Sequence, residues 1–241
     1  MAKTAIYIIE SPDDDDVKIG WEEGPTIRDA LRHARLRADL QAVEGRSAFV
    51  VALMKVAEQH EYRAEAAPVL HLSMHGSPEG VRFRSNERLP WDLLGNYLAV
   101  VNAALDGRLQ VVLSTCSGFS GIQMAWREAD LALPFSRLVG PVEGIPWRDT
   151  VAAFVAFYHF AYVRGGDVTE AVEIMNHVLN RKANPLFKET TGQYEQAQFV
   201  AEARKVNARE ELLRNIEALI RTTQNERIRA RMEALQRAFR A

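Results

Sequence analysis

Two stretches decide the fold: Val69–Gly76, VLHLSMHG, and Leu109–Gly118, LQVVLSTCSG. In each, a short apolar run reads as a buried strand, Val69 to Met74 in the first and Leu109 to Leu113 in the second. Each run stops at small residues, Gly76-Ser77-Pro78 and Ser117-Gly118. Between them Leu93, Leu94, Tyr97, Leu98, Val101 and Leu105 recur at helical spacing, with Pro90 placed for a first turn. Strand, amphipathic crossover helix and strand make a parallel unit, and in open parallel sheets ligands and reactive side chains gather at the carboxyl ends of the strands. That reading sets His75 beside the only cysteine of the chain, Cys116.

The rest of the chain extends the same pattern. Ala5 to Glu10 (AIYIIE) reads as the first strand, followed by an acidic turn, Ser11 to Asp16. Pro25-Thr26 opens a helical region that runs, with a break near Gly45, to about Tyr62. Its apolar face is Phe49, Val50, Leu53, Met54, Val56 and Ala57. Val81 to Phe83 suits a short hairpin partner, Ile122 to Arg127 a helix, and Arg137 to Val142 another strand. The helices Thr150–Val163 and Val168–Leu179 complete an α/β domain with a mostly parallel central sheet, assigned to residues 1–191.

Residues 192–241 read as a C-terminal extension of one or two amphipathic helices. Leu212, Ile216, Leu219, Ile228, Met232, Leu235 and Phe239 repeat at spacings of three and four, so these helices are expected to pack on the domain or on a partner. Arg227, Arg229, Arg231, Arg237 and Arg240 are read as a solvated face, because acids are interleaved and no aromatic stacking platform accompanies them. Nucleic acid is therefore not an expected ligand.

Composition is that of an ordinary globular protein, 47% hydrophobic and 26% charged with a formal net charge of −2, which gives no global pull toward nucleic acid or membrane. No apolar stretch approaches the roughly 18 residues that span a bilayer. The start, MAKTAIYIIESPDDDD, lacks the form of a signal peptide. One cysteine permits no intrachain disulfide and no cysteine-cluster metal site. A cytoplasmic protein without cofactor or metal is expected.

A thiol is mostly protonated near neutrality, so a cysteine nucleophile needs a neighbouring base or a positive field. His75 could take the thiol proton or protonate a leaving amine. The backbone N–H groups of Gly76 and Cys116 are natural donors to a developing oxyanion. The positive end of the helix after Ser117-Gly118 would favour a thiolate. The competing reading makes Cys116 a small buried apolar residue and His75 a turn residue.

HLSMHG followed by VVLSTCSG resembles the His-Gly and Cys-Gly elements of the caspase-like cysteine peptidases, closest to the bacterial CHAT domains related to caspases and separases. The stretch RLVGPVEGIPWRDTVAAFVAFYHFAYVRGGDVTEAVEIMN is similar to that branch's strand, acidic turn and following helices. The resemblance covers roughly residues 68–180. It implies a caspase-like three-layer sandwich, Cys116 as nucleophile, His75 as general base or acid, and Gly76 and Cys116 as oxyanion hole. It further implies a protein substrate and control by a regulatory partner, for which the C-terminal helices are the obvious docking element. A bacterial defence or cell-death setting fits that branch. The alternative is a catalytically silent caspase-like scaffold.

One departure concerns specificity. Two residues before the cysteine caspases carry glutamine and metacaspases aspartate, whereas this chain has Ser114, so neither preference carries over. Nearby acids suggest instead a pocket for Arg or Lys, with Glu143 and Asp149 as candidates and Arg148 as the nearest competing base. Asp13 to Asp16 are read first as a solvated turn. His71 is expected to face a helix, and His159 and His177 have no partners at metal-ligand spacing. Trp91 and Trp147 are candidates for either cleft walls or core anchors.

Overall fold

The computed structural model describes residues 4–20, 22–61, 67–128, 130–200, 216–218, 220–221 and 226–240. Its strands are β1 (Thr4–Ser11), β2 (Arg37–Ala42), β3 (Ala67–Ser77), β4 (Gly80–Arg82), β5 (Arg88–Pro90), β6 (Gln110–Ser114), β7 (Arg137–Pro141) and β8 (Phe187–Thr191). The main sheet runs β2-β1-β3-β6-β7-β8. It is parallel from β2 to β7, with β8 antiparallel at the edge. The protein is an α/β fold on a mostly parallel sheet.

Helices cover both faces because the central strands are apolar on both sides. Leu70, Leu72 and Met74 pack with α3 (Arg46–Glu61) and α4 (Trp91–Ala104) through Phe49, Leu53, Leu94 and Leu98. Val69, Ile6, Ile8 and Val112 pack on the other face with α2 (Glu23–His33), α5 (Trp147–Tyr158) and α6 (Val168–Val178). Side chains alternate along a strand, so His71, Ser73 and His75 share the register of Val69 and point toward the α2/α5 layer.

Four local expectations are corrected. The helical region from Pro25 to about Tyr62 is interrupted by β2. Arg35, at φ 61°, closes α2 with a Leu36 N–H bond to the Leu31 carbonyl, and RADLQA then pairs as a partly exposed edge strand. β3 does not stop at His75 but continues to Ser77 and folds back through β4 and β5. The helix expected at Ile122–Arg127 is a 3-10 helix, Gly118–Ala125. The helix expected to reach Val163 ends at Tyr158 and passes into a π-helical turn, His159–Val163.

Beyond residue 191 the described residues at 192–200, 216–218 and 226–240 pack on the domain. α7 (Gly192–Val200) follows β8 directly, and Thr190 Oγ1 donates to the buried Glu195 carboxylate at 2.8 Å. Gln196 Nε2 donates to the carbonyls of Glu128 and Leu131. Ile216, Ile228 and Met232 are buried against Met54, Ala57, Val100 and Leu131. Of the two expected roles for this apolar stripe, packing on the domain is the one these residues adopt. Leu212 and Leu219 lie outside the described residues, as do the side chains of Arg227, Arg231, Leu235, Phe239 and Arg240. Among the described residues no helix is long and apolar enough to cross a membrane.

Candidate active site

The parallel ladder between β3 and β6 ends with Ser73 opposite Ser114. Two residues further on come His75, still in β3, and Cys116, in the turn that follows β6, and both line one cleft with Met74, Ser114, Thr115, Ile145, Trp147 and Thr150. Matched register and equal offset thus place the imidazole and the thiol at one mouth. Gly76 explains how closely the two chains approach. A Cβ there would run into Thr115 Oγ1 and come within 2.6 Å of the Cys116 carbonyl oxygen. The backbones of Gly76 and Cys116, the two expected oxyanion donors, are therefore neighbours.

His75 is held by the aspartate run. Its Nε2 lies 2.9 Å from Asp16 Oδ2 and 3.0 Å from Asp13 Oδ2. The run splits by helical spacing: Asp14 and Asp15 are exposed, while Asp13 and Asp16, three apart, turn toward the ring. Asp13 caps the short helix α1 (Asp14–Lys18), accepting the N–H groups of Asp15 and Asp16, and the Asp16 side chain reaches back to the Asp13 N–H. The Asp13 carboxyl is held below the ordinary range, chiefly by the Asp16 N–H, with His75 and Arg82 assisting against the cost of burial. The expected solvated turn is thus only half right, because the capping box aims two carboxylates at His75.

A proton on Nε2 would be shared by both carboxylates and would leave Nδ1 as the ring's lone pair. Trp147 stands edge-on to the imidazole at 6.2 Å between centroids, fixing its other side. Asp13, Asp16 and His75 also offer three ligand atoms within 4.8 Å of one another, enough to hold a cation. The hydrogen-bonding distances to Nε2 already account for those atoms.

Cys116 is half-buried. Ser117 turns the chain at φ 56° and its N–H donates to the Glu143 carbonyl at 3.2 Å, while Gly118 N–H closes back on Thr115. The loop after β7 consequently runs beside the sulfur, and a Cβ on Gly144 would stand 3.7 Å from Sγ. Because the segment that follows is a 3-10 helix, the α-helical N-terminus expected to favour a thiolate is replaced by a tighter helix.

The acids expected to form a pocket are not in the cleft wall. Glu143 is exposed and pairs with Arg181 at 3.3 Å; Asp149 lies near Arg148 at 3.8 Å in the first turn of α5. Arg148 is exposed. Ser114 does line the cleft, and its hydroxyl donates at 2.8 Å to Glu23, a buried residue the sequence reading passed over. Trp147 is a cleft wall, whereas Trp91 is buried with its indole N–H on the Pro78 carbonyl. His71 faces α5 as expected, 2.9 Å from Tyr158 Oη, and His159 and His177 are exposed. His75 also borders a second hollow of about 410 Å³, walled by Gly76, Glu79, Arg82, Arg88 and Pro90.

No family model matches the sequence, and no curated protein matches it significantly.

Proposed function

We propose that the protein is a cysteine endopeptidase of the caspase-like class, with Cys116 as nucleophile and His75 as proton carrier. The observation that carries this reading is the His75 ring, bracketed at Nε2 by Asp13 and Asp16 and sharing a cleft with Cys116. Two carboxylates on one ring nitrogen hold the imidazole in a fixed orientation, the part an acid plays beside the histidine of a catalytic dyad. The strand order and the Cys-Gly and His-Gly elements at the carboxyl ends of β3 and β6 support the same class.

In the mechanism His75 Nδ1 takes the Cys116 proton and the thiolate attacks a peptide carbonyl carbon. The oxyanion of the tetrahedral intermediate is met by the Gly76 and Cys116 N–H groups. The C–N bond breaks as the imidazolium gives its proton to the leaving amine. Water, deprotonated by the same nitrogen, then adds to the thioester, and collapse releases the acid and restores the thiol. His75 borders both the cleft that holds Cys116 and the larger hollow lined by Gly76, Arg82 and Arg88.

The test is cleavage of a denatured-protein or peptide library by the wild-type chain and by Cys116→Ala. New termini that depend on Cys116 support the reading. An identical product profile from both proteins, or none from either, turns the fold into a scaffold whose dyad is idle.

A further inference from the structure

We infer that the hollow beside His75 holds the part of the substrate that follows the scissile bond, and that Arg88, with Arg82 beside it, selects an aspartate or glutamate at the second or third residue after that bond. The inference rests on the peptidase reading above and assigns the substrate class on its leaving side.

A short antiparallel ladder builds the hollow. β3 pairs with β4 and β4 with β5, so that His75 stands opposite Arg82 and Arg82 opposite Arg88. Directly paired residues carry their side chains on the same face of a sheet. The imidazole and the two guanidinium groups therefore form one row. Val81 and Leu89, the alternate positions, are buried in the core, which turns the row outward. All three residues of the row line the hollow of about 410 Å³, whereas the cleft that holds Cys116 has only about 30 Å³. Space for a substrate side chain next to the dyad thus lies along the row.

The walls of the hollow include His75 but not Cys116, which puts it on the side of the dyad that donates to the leaving amine. Adjacent strands lie about 4.8 Å apart, so Arg82 and Arg88 stand about 5 and 10 Å along the row from His75. An extended chain advances about 3.3 Å per residue, which brings its second and third residues level with the two guanidinium groups. Arg88 is exposed and, among the described residues, makes no ion pair. Arg82 is partly engaged: one guanidinium nitrogen donates to Asn86 at 2.7 Å and another lies 3.7 Å from Asp13. Among the lining residues the one carboxylate is Glu79, which accepts the Ser77 hydroxyl at 2.6 Å. That bond, with Glu79's own N–H, holds its carboxyl below the ordinary range, and Arg88 adds a smaller attraction. Two guanidinium groups against one carboxylate leave the wall short of negative charge. A substrate carboxylate supplies it, meeting Arg88 in a charge-assisted contact for which the planar guanidinium is shaped.

The experiment is cleavage-site profiling. The full chain and its Cys116→Ala variant digest a proteome-derived peptide library, and mass spectrometry reads the residues on both sides of every cut that depends on Cys116. Asp and Glu are expected at the second or third position after the cut, at least fivefold above their frequency in the library. Arg88→Gln should lower that enrichment, and Arg88→Glu should abolish it and favour Lys and Arg at the same position. The wild-type profile decides on its own where a variant does not fold. Cys116-dependent cuts without acidic enrichment at either position, or an enrichment unchanged in Arg88→Glu, overturn the assignment of the hollow and leave the peptidase reading intact. Absence of any Cys116-dependent cut overturns both.

Discussion

Asp16 Oδ2 lies 2.9 Å from His75 Nε2, although 59 residues separate them in the chain. The contact ties the cap of α1 to the end of the parallel ladder, and Asp13 duplicates it at 3.0 Å. Both act through His75, so they are positioning residues. Because either carboxylate can hold the Nε2 proton, Asp13→Asn and Asp16→Asn alone should each lower kcat by about tenfold with KM little changed. The double variant should approach the loss expected for His75→Ala, in the range of about 10²–10⁴-fold for a removed general base. Equal kcat in the double variant and the wild type would make the contact a structural tie alone.

Gly76→Ala tests the close approach of β3 to the nucleophile strand. A methyl group there meets Thr115 Oγ1 and the Cys116 carbonyl, so the strands must separate. Peptide cleavage should fall more than tenfold, since misplacing reacting groups by about 1 Å costs on the order of 10²-fold. Iodoacetamide should still reach the sulfur. Unchanged cleavage would show that the Gly76 backbone has no part in the site.

Glu143→Gln and Asp149→Asn should leave cleavage within about twofold of wild type. Both carboxylates are exposed or paired with surface arginines, where such pairs contribute about 0–1 kcal/mol. A tenfold loss of cleavage in either variant would give that carboxylate a place in substrate binding.

The Glu10 carboxyl is pushed up to about 7, mainly by burial, with Glu23 and Glu22 adding repulsion against the Gly24 hydrogen bond. The folded protein thus keeps a proton that an unfolded chain releases near 4.5. Folding stability from this group is fully present below that value, falls as pH rises, and levels off above about 7, a change of about 3 kcal/mol. Urea titrations at pH 5 and pH 8 should show Glu10→Gln reducing the difference between the two conditions. An unaltered difference would place the proton elsewhere.

The central strands, and with them the cleft shared by His75 and Cys116, were legible because a buried parallel strand is written as an uninterrupted apolar run. β1, β3, β6 and β7 all announce themselves this way. β2 and β8 do not: RADLQA and FKETT are edge strands in which most residues are only partly buried or exposed, so polar character hid them. The His75–Cys116 adjacency followed from the topology, but the groups that surround it did not. Asp13 and Asp16 looked like solvent-facing charge in a run of four, and only their spacing of three, with Asp13 as a cap, distinguishes them from Asp14 and Asp15. Glu23 was hidden for another reason, since nothing local marks an acid at a helix start as buried. The alternation His71, Ser73, His75 against Leu70, Leu72, Met74 was the one available sign of a polar layer beneath the α2/α5 face.

The most direct measurement is intact-protein mass spectrometry after exposure to a peptidyl acyloxymethyl ketone, with the modified residue located by peptide mapping. One adduct per chain is expected, on Cys116, its formation slowed at least a hundredfold in His75→Ala while iodoacetamide still modifies the same sulfur. An adduct on another residue, or equal rates with and without His75, would contradict the claim that these two side chains form one catalytic unit.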